Sequence, residues 1–207
     1  MKDEQTGSWW QQVTGEAIQG PLKGSRLDLV NHDEISFATW KRENPQGRVL
    51  QADASVEHLY EPADWEEQYS HLRVVTPMSS GESVAPRTLV YGLSITGASK
   101  AYSNPSVQRQ SPVIDRVGQT PVLIVMENDK KSVRAFDRTV DGRELEFFGK
   151  TETPQLTLVD SDTGSEWDFT GRAISGPLKG RQLSRLSILA DYWFDWKSYH
   201  PETGIYQ

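Results

Sequence analysis

The sequence predicts a mainly β fold: antiparallel hairpins forming a barrel-like or sandwiched sheet, with short tryptophan-bearing helices and an internal repeat. Three observations carry that prediction. Short apolar runs follow one another between residues 88 and 160, bounded by Gly, Pro, Asn and Asp, as strands joined by tight turns are. Several alternate with polar neighbours, the period of a half-buried strand. Finally, Thr14-Gly15-Glu16-Ala17-Ile18-Gln19-Gly20-Pro21-Leu22-Lys23-Gly24 returns 156 residues later as Thr170-Gly171-Arg172-Ala173-Ile174-Ser175-Gly176-Pro177-Leu178-Lys179-Gly180, and a duplication is read before any single element.

Residues 1–50 form the first, partial repeat. The same spacing joins Leu27 to Leu183, Trp40 to Trp196 and Pro45 to Pro201, while Thr6-Gly7-Ser8 and Trp10 match Thr163-Gly164-Ser165 and Trp167 at 157. Gly20-Pro21 and Gly176-Pro177 hold an extended or turning backbone, because Pro fixes φ and restricts its predecessor. A short helix closes each copy. Phe37 and Trp40, like Trp193 and Trp196, are three residues apart and share a face. Asp33 and Asp191 are expected as N-caps, and Pro45 and Pro201 as stops. Gly20, Pro21, Trp40, Gly176, Pro177 and Trp196 are assigned structural roles, each Trp helix sealing a hairpin stack. The polar letters differ between copies (Glu16 against Arg172, Gln11 against Asp168), so the repeat keeps a frame and not a chemistry.

Residues 51–87 read as an acidic connector. Pro62 opens a short helix through Tyr69, residues 72–76 form a strand, and 77–86 are loop, with the weakest point of the chain at residues 79–84. From residue 88 to the end runs the complete second module. Its strands cover 88–95 and 98–103 around Thr96-Gly97, 122–126, 132–137, 143–148 after the Asp141-Gly142 turn, and 155–160. Asn104-Pro105 and Ser111-Pro112 bracket an irregular stretch. The whole chain also suits one compact domain.

Thr-Gly-Ser-x-Trp, then Gly-Pro-Leu-x-Gly, then Trp196 through His200-Pro201 resembles the prokaryotic family called domain of unknown function 3179. Ser99-Lys100-Ala101-Tyr102, Asp115-Arg116-Val117-Gly118 and Arg134-Ala135-Phe136-Asp137-Arg138 extend the likeness. The resemblance implies no assigned activity and an extracytoplasmic, cell-envelope setting for many members. Many relatives carry Cys-Pro-x-Cys where this chain has Met126-Glu127-Asn128-Asp129-Lys130, so a thiol or metal role does not transfer. The chain is expected to open inside a module, and Met1-Lys2-Asp3-Glu4-Gln5 carries no signal peptide.

Composition narrows the function. A net charge of −7 disfavours nucleic acid and anionic membranes as partners. No apolar run approaches the ~20 residues of a membrane span. With no cysteine, disulfides and thiolate chemistry are excluded; no cofactor and no metal site is expected. His200 reads as a charge at a helix C-terminus. Asp160-Ser161-Asp162-Thr163-Gly164 fails the calcium-loop pattern and reads as an Asx turn. Asp115-Arg116 and Asp137-Arg138 either fix strand register or converge to hold a carboxylate or phosphate through the Arg fork. Ligand-binding candidates are therefore Trp167, Asp168, Arg138, Asp137, Arg116 and Asp115. The leading reading is a non-catalytic binding module that uses exposed aromatics such as Trp9, Trp65 and Trp167. The alternatives are a carboxylate enzyme acting on saccharide through Asp168, Glu166, Asp137 or Asp115, and a structural domain of a longer protein. No ligand or partner is specified by these residues.

Overall fold

Both copies of the repeat close through the same hydrogen bonds. In the computed structural model, which describes residues 1–28, 30–76, 78, 83–151 and 153–206, the Trp10 indole N–H donates to Asp3 at 2.8 Å and that of Trp167 to Asp160 at 2.9 Å. Leu22 N–H donates to the Ser8 hydroxyl at 3.1 Å, and Leu178 N–H to Ser165 at 3.0 Å. Gly24 bonds Ala17, and Gly180 bonds Ala173, both at 2.8 Å. Gly20 and Gly176 have φ of 100° and 81°, and a Cβ there would lie 2.7 and 2.6 Å from the Cα of Ser8 and Ser165. No side chain fits against backbone at that distance, which is why the turn needs glycine.

The chain divides into two units, Met1–His32 and Asp33–Gln207. The first is a ribbon in which β1 (Trp9–Trp10) pairs antiparallel with β2 (Ala17–Gln19). The second begins with α1 (Phe37–Glu43), a 3-10 helix at Ala54–Leu59 and α2 (Trp65–Ser70). Next come β3 (Leu89–Ile95), β4 (Ala98–Ser103), α3 (Asn104–Gln110), β5 (Val113–Val117), β6 (Thr120–Met126) and β7 (Val133–Asp137). After them run β8 (Thr139–Val140), β9 (Arg143–Glu144), β10 (Phe147–Gly149), β11 (Thr157–Asp160) and β12 (Glu166–Asp168). The chain finishes with β13 (Ser184–Leu186), β14 (Leu189–Tyr192), α4 (Trp193–Tyr199) and β15 (Gly204–Tyr206).

The fold is mainly β, with antiparallel sheets that stack and do not close into a barrel. One sheet has the order β14-β3-β4-β15, a second β13-β7-β6-β5 and a third β10-β11-β12; among the described residues only β15 joins its neighbour, β4, in parallel. Tyr91, Leu93 and Tyr102 of the first sheet meet Val113, Val122, Ile124 and Ala135 of the second in one core. The opposite face of the second sheet gives Leu123, Val125 and Phe136 to another core with Phe147, Leu158, Trp167 and Leu183. This explains the unbroken run Pro121-Val122-Leu123-Ile124-Val125-Met126: a strand covered on both faces needs apolar residues at every position. A third cluster places Trp193 and Trp196 of α4 on Val90 and Ala101.

Several expectations are corrected. Residues 104–110 are helical, with Pro in the first turn, a place where its missing N–H costs nothing. β5 went unrecognised because Asp115 and Arg116 interrupt its apolar pattern. Residues 72–76 form no strand, and α2 starts at Trp65. The N-caps are Ser36, whose hydroxyl accepts from Thr39 N–H, and Tyr192; Asp33 is turned to Arg134 instead. Of the expected weak point, residues 79–82 lie outside the described residues.

At the end of the second copy α4 acts as the expected sealing helix, laid on Val90 and Ala101. Trp196 is buried, and a Cβ on Gly92 would sit 2.3 Å from its ring. Trp40 is half-buried, stacked on exposed Phe37 at 5.7 Å, and α1 lies in the second unit. Trp196→Ala is therefore expected to cost about 3–5 kcal/mol and Trp40→Ala less than about half of that, since less area leaves water. Urea unfolding measures both; equal losses would contradict the difference in burial.

Candidate functional site

Each residue singled out in the sequence has a defined place. Trp167 is fully buried, with the Phe147 ring edge-on at 5.6 Å, so it offers nothing to a ligand. Trp9 and Trp65 are 48% and 44% exposed. Asp168 accepts from Thr170 N–H at 2.9 Å and Arg172 N–H at 3.2 Å, holding its own turn. Glu166 pairs with Lys150 at 2.6 Å.

Asp115 and Asp137 both stand opposite Val122, on the strands flanking it. Asp115 takes the Tyr102 hydroxyl at 3.0 Å and Lys100 at 2.6 Å; Asp137 takes Thr139 N–H at 2.8 Å. Burial, and next the Asp115 charge, push the Tyr102 phenol far above its ordinary range. The two arginines do converge: Arg116 and Arg138 reach Glu144 at 2.6 and 3.3 Å, and Arg138 adds Glu146 at 3.0 Å. Their forks are thus occupied by the chain's own carboxylates.

His200 caps α4 with its ring 3.9 Å from Trp196. Burial lowers its pKa, which works against the charge expected at this helix end. Asp160 accepts from Thr163 N–H at 2.6 Å, an Asx turn. Among the described residues no group of three His, Asp or Glu is placed to hold a metal.

The acids that sequence reasoning missed fasten α1 to the strands of its own unit. Arg134, nearly inaccessible, bonds Asp33 at 2.8 Å and Glu43 at 2.6 Å, and its guanidinium lies 4.5 Å from the Phe169 ring centre. Asp129 accepts from Ser36 at 2.7 Å, Thr39 at 3.0 Å and Ser132 at 2.6 Å. Burial opposes its ionisation, but these hydroxyls and the Lys131 and Ser132 amides hold its pKa well below the carboxylate range. Glu127 accepts from Arg42 and from Leu156 N–H, both at 2.8 Å. An arginine inside a buried strand was the available signal, since such a charge demands partners.

The open chemistry lies in the first ribbon. Leu183 is 1% exposed but its counterpart Leu27 is 54%; Leu178 is 8% exposed but Leu22 is 37%. Ser8 and Ala17 are as buried as Ser165 and Ala173, so the ribbon's own closure is intact and only its outer apolar face is bare. That face holds a cavity of about 360 Å³, whose lining includes Asp3, Trp10, Leu22 and Leu27. Hydrogen bonds, first from Trp10 and then from Thr6, hold the Asp3 carboxyl down at about 2, so it is ionised beneath the cavity at neutral pH.

The family described as "Protein of unknown function (DUF3179)" matches residues 1–203. No curated protein and no solved structure matches the chain.

Asp191 sets a pH dependence. Burial first, then the Asp195 and Glu34 charges, raise its carboxyl to about 6, against a partly compensating bond from Tyr192 N–H. A folded-state pKa above the unfolded one means the ionised form weakens the fold, so this group's penalty is full above pH 6 and fades as pH falls toward the unfolded value. Asp191→Asn should raise the urea midpoint at pH 8, with the gain shrinking toward zero at pH 4. A gain independent of pH would remove Asp191 ionisation as its cause.

Proposed function

The chain belongs to the DUF3179 family, and from that premise we propose that it is a non-catalytic interaction module that docks onto a protein partner through the apolar face of its first ribbon. One observation carries the reading: Leu22 and Leu27 are exposed where Leu178 and Leu183 of the same motif are covered. A unit of 32 residues is below the size that usually folds alone without disulfides, metals or association. The chain has no cysteine, so no disulfide stabilises it. A contiguous bare apolar face in such a unit marks an interaction surface.

Catalysis by carboxylates finds less support. It needs two acids facing across a groove, about 5–10 Å apart, yet Asp115, Asp137, Glu166 and Asp168 are each engaged by local donors. The family resemblance supports a prokaryotic cell-envelope setting for the module.

The naphthalene dye 1-anilinonaphthalene-8-sulfonate tests the face. The folded chain should brighten the dye, and Leu22→Asp combined with Leu27→Asp should remove most of that signal while leaving the far-ultraviolet circular dichroism intact. Equal brightening by both proteins would overturn the reading.

A further inference from the structure

The second copy of the repeat shows how the ribbon is covered. There β11 is paired on both sides, with β12 at one edge and β10 at the other. In the β10 ladder Phe147 stands opposite Asp160, Phe148 opposite Val159 and Gly149 opposite Leu158, and Ser161 N–H donates to Glu146 C=O at 2.9 Å. This register delivers the Phe147 ring onto Trp167. One strand therefore supplies both the backbone bonds and the apolar cover.

In the first copy, Met1-Lys2-Asp3 takes the place of Leu158-Val159-Asp160. Lys2 bridges Trp9 as Val159 pairs with Glu166. Asp3 N–H bonds Ser8 C=O at 3.0 Å, as Asp160 N–H bonds Ser165 C=O at 3.1 Å. The other edge is open: among the described residues the N–H and C=O of Lys2 make no backbone hydrogen bond. The cavity above Trp10 adjoins this edge, with Met1, Lys2 and Asp3 in its wall.

An unpaired edge and an open apolar hollow beside Trp10 lie side by side and suit the same occupant. We infer that the partner of the ribbon is an extended strand of a second protein, added antiparallel to residues 1–3, with an aromatic side chain opposite Asp3 seated on Trp10. This rests on the interaction reading above and continues, in a second place, the ribbon–strand interface already built in this chain. Exposed edges recruit strands through main-chain bonds, and pockets beside them select the side chain. An aromatic ring edge-on to an indole gains over an aliphatic one of similar area. The recognised segment has the chemistry of Glu146-Phe147-Phe148-Gly149-Lys150: an aromatic facing inward, and an adjacent residue exchanging both its backbone bonds with Lys2.

The test uses the intact chain and a synthetic peptide with the sequence of residues 145–151. Titration followed by amide and indole NMR signals should shift Lys2 N–H and the Trp10 indole in a saturable way. Replacing the first peptide Phe by Ala should weaken binding by about tenfold or more. N-methylation at the second Phe removes the N–H directed at Lys2 and should abolish binding, as should Leu27→Asp in the chain. No shift at Lys2 and Trp10 with about 1 mM peptide, or equal binding by the N-methylated peptide, overturns strand addition. Shifts confined to Trp167, where the peptide would displace its own parent strand, also overturn it. If the dye reports a bare face but the peptide fails, the interaction reading stands and the strand does not; if the dye fails, the reading itself falls.

Discussion

A ribbon of two strands and a few turns has an apolar face that it cannot bury by itself. Its interior is small: Ser8, Ala17 and their counterparts Ser165 and Ala173 fill it. Everything else apolar in the motif points outward and needs a second layer. In residues 160–183 that layer is Leu123, Phe136, Phe147 and Leu158. The second sheet must then be apolar on both faces, because its other side meets β3 and β4. The stacking of the second unit follows from that demand.

Polar groups in this molecule chiefly assemble it. Asp3 and Asp160 satisfy the indole of the ribbon tryptophan. Arg134 gathers Asp33 and Glu43 from the two ends of the α1 segment, and Asp129 gathers Ser36 and Thr39 between them. Buried charges of this kind are tolerated when paired and fully hydrogen-bonded. Asp33, Glu43, Asp129 and Glu127 are thereby all engaged in holding α1 to the strands of its own unit.

Much of the ribbon was legible because its code is local. Gly20-Pro21 and Gly176-Pro177 fix a turn that residues nearby in sequence complete, so equal letters produce equal bonds. The hairpins at Thr96-Gly97 and Asp141-Gly142 were readable for the same reason. What failed was non-local. Whether Leu27 or Leu183 is covered depends on strands elsewhere, and the repeat alone says nothing about them. Asp33 was mistaken for a cap because its true partner, Arg134, lies 101 residues away. α3 was hidden by Pro105, a residue that ends helices in their interior yet begins them comfortably. Of the candidate site, the repeat aligned Leu22 and Leu27 with Leu178 and Leu183, but nothing local distinguished the bare pair from the covered one.

The order of strands in the first sheet has a consequence for biosynthesis. β3 and β4 lie side by side as a hairpin, but the strands flanking them, β14 and β15, are translated roughly a hundred residues later. At a ribosomal pace of about 5–20 residues per second, that hairpin waits on the order of 5–20 s for its neighbours. Throughout that wait both its edges stay open, and Val90 and Ala101 lack the α4 tryptophans that shield them in the finished protein. Nascent chains on one messenger are thus exposed to edge-to-edge pairing with each other until residues 189–206 arrive.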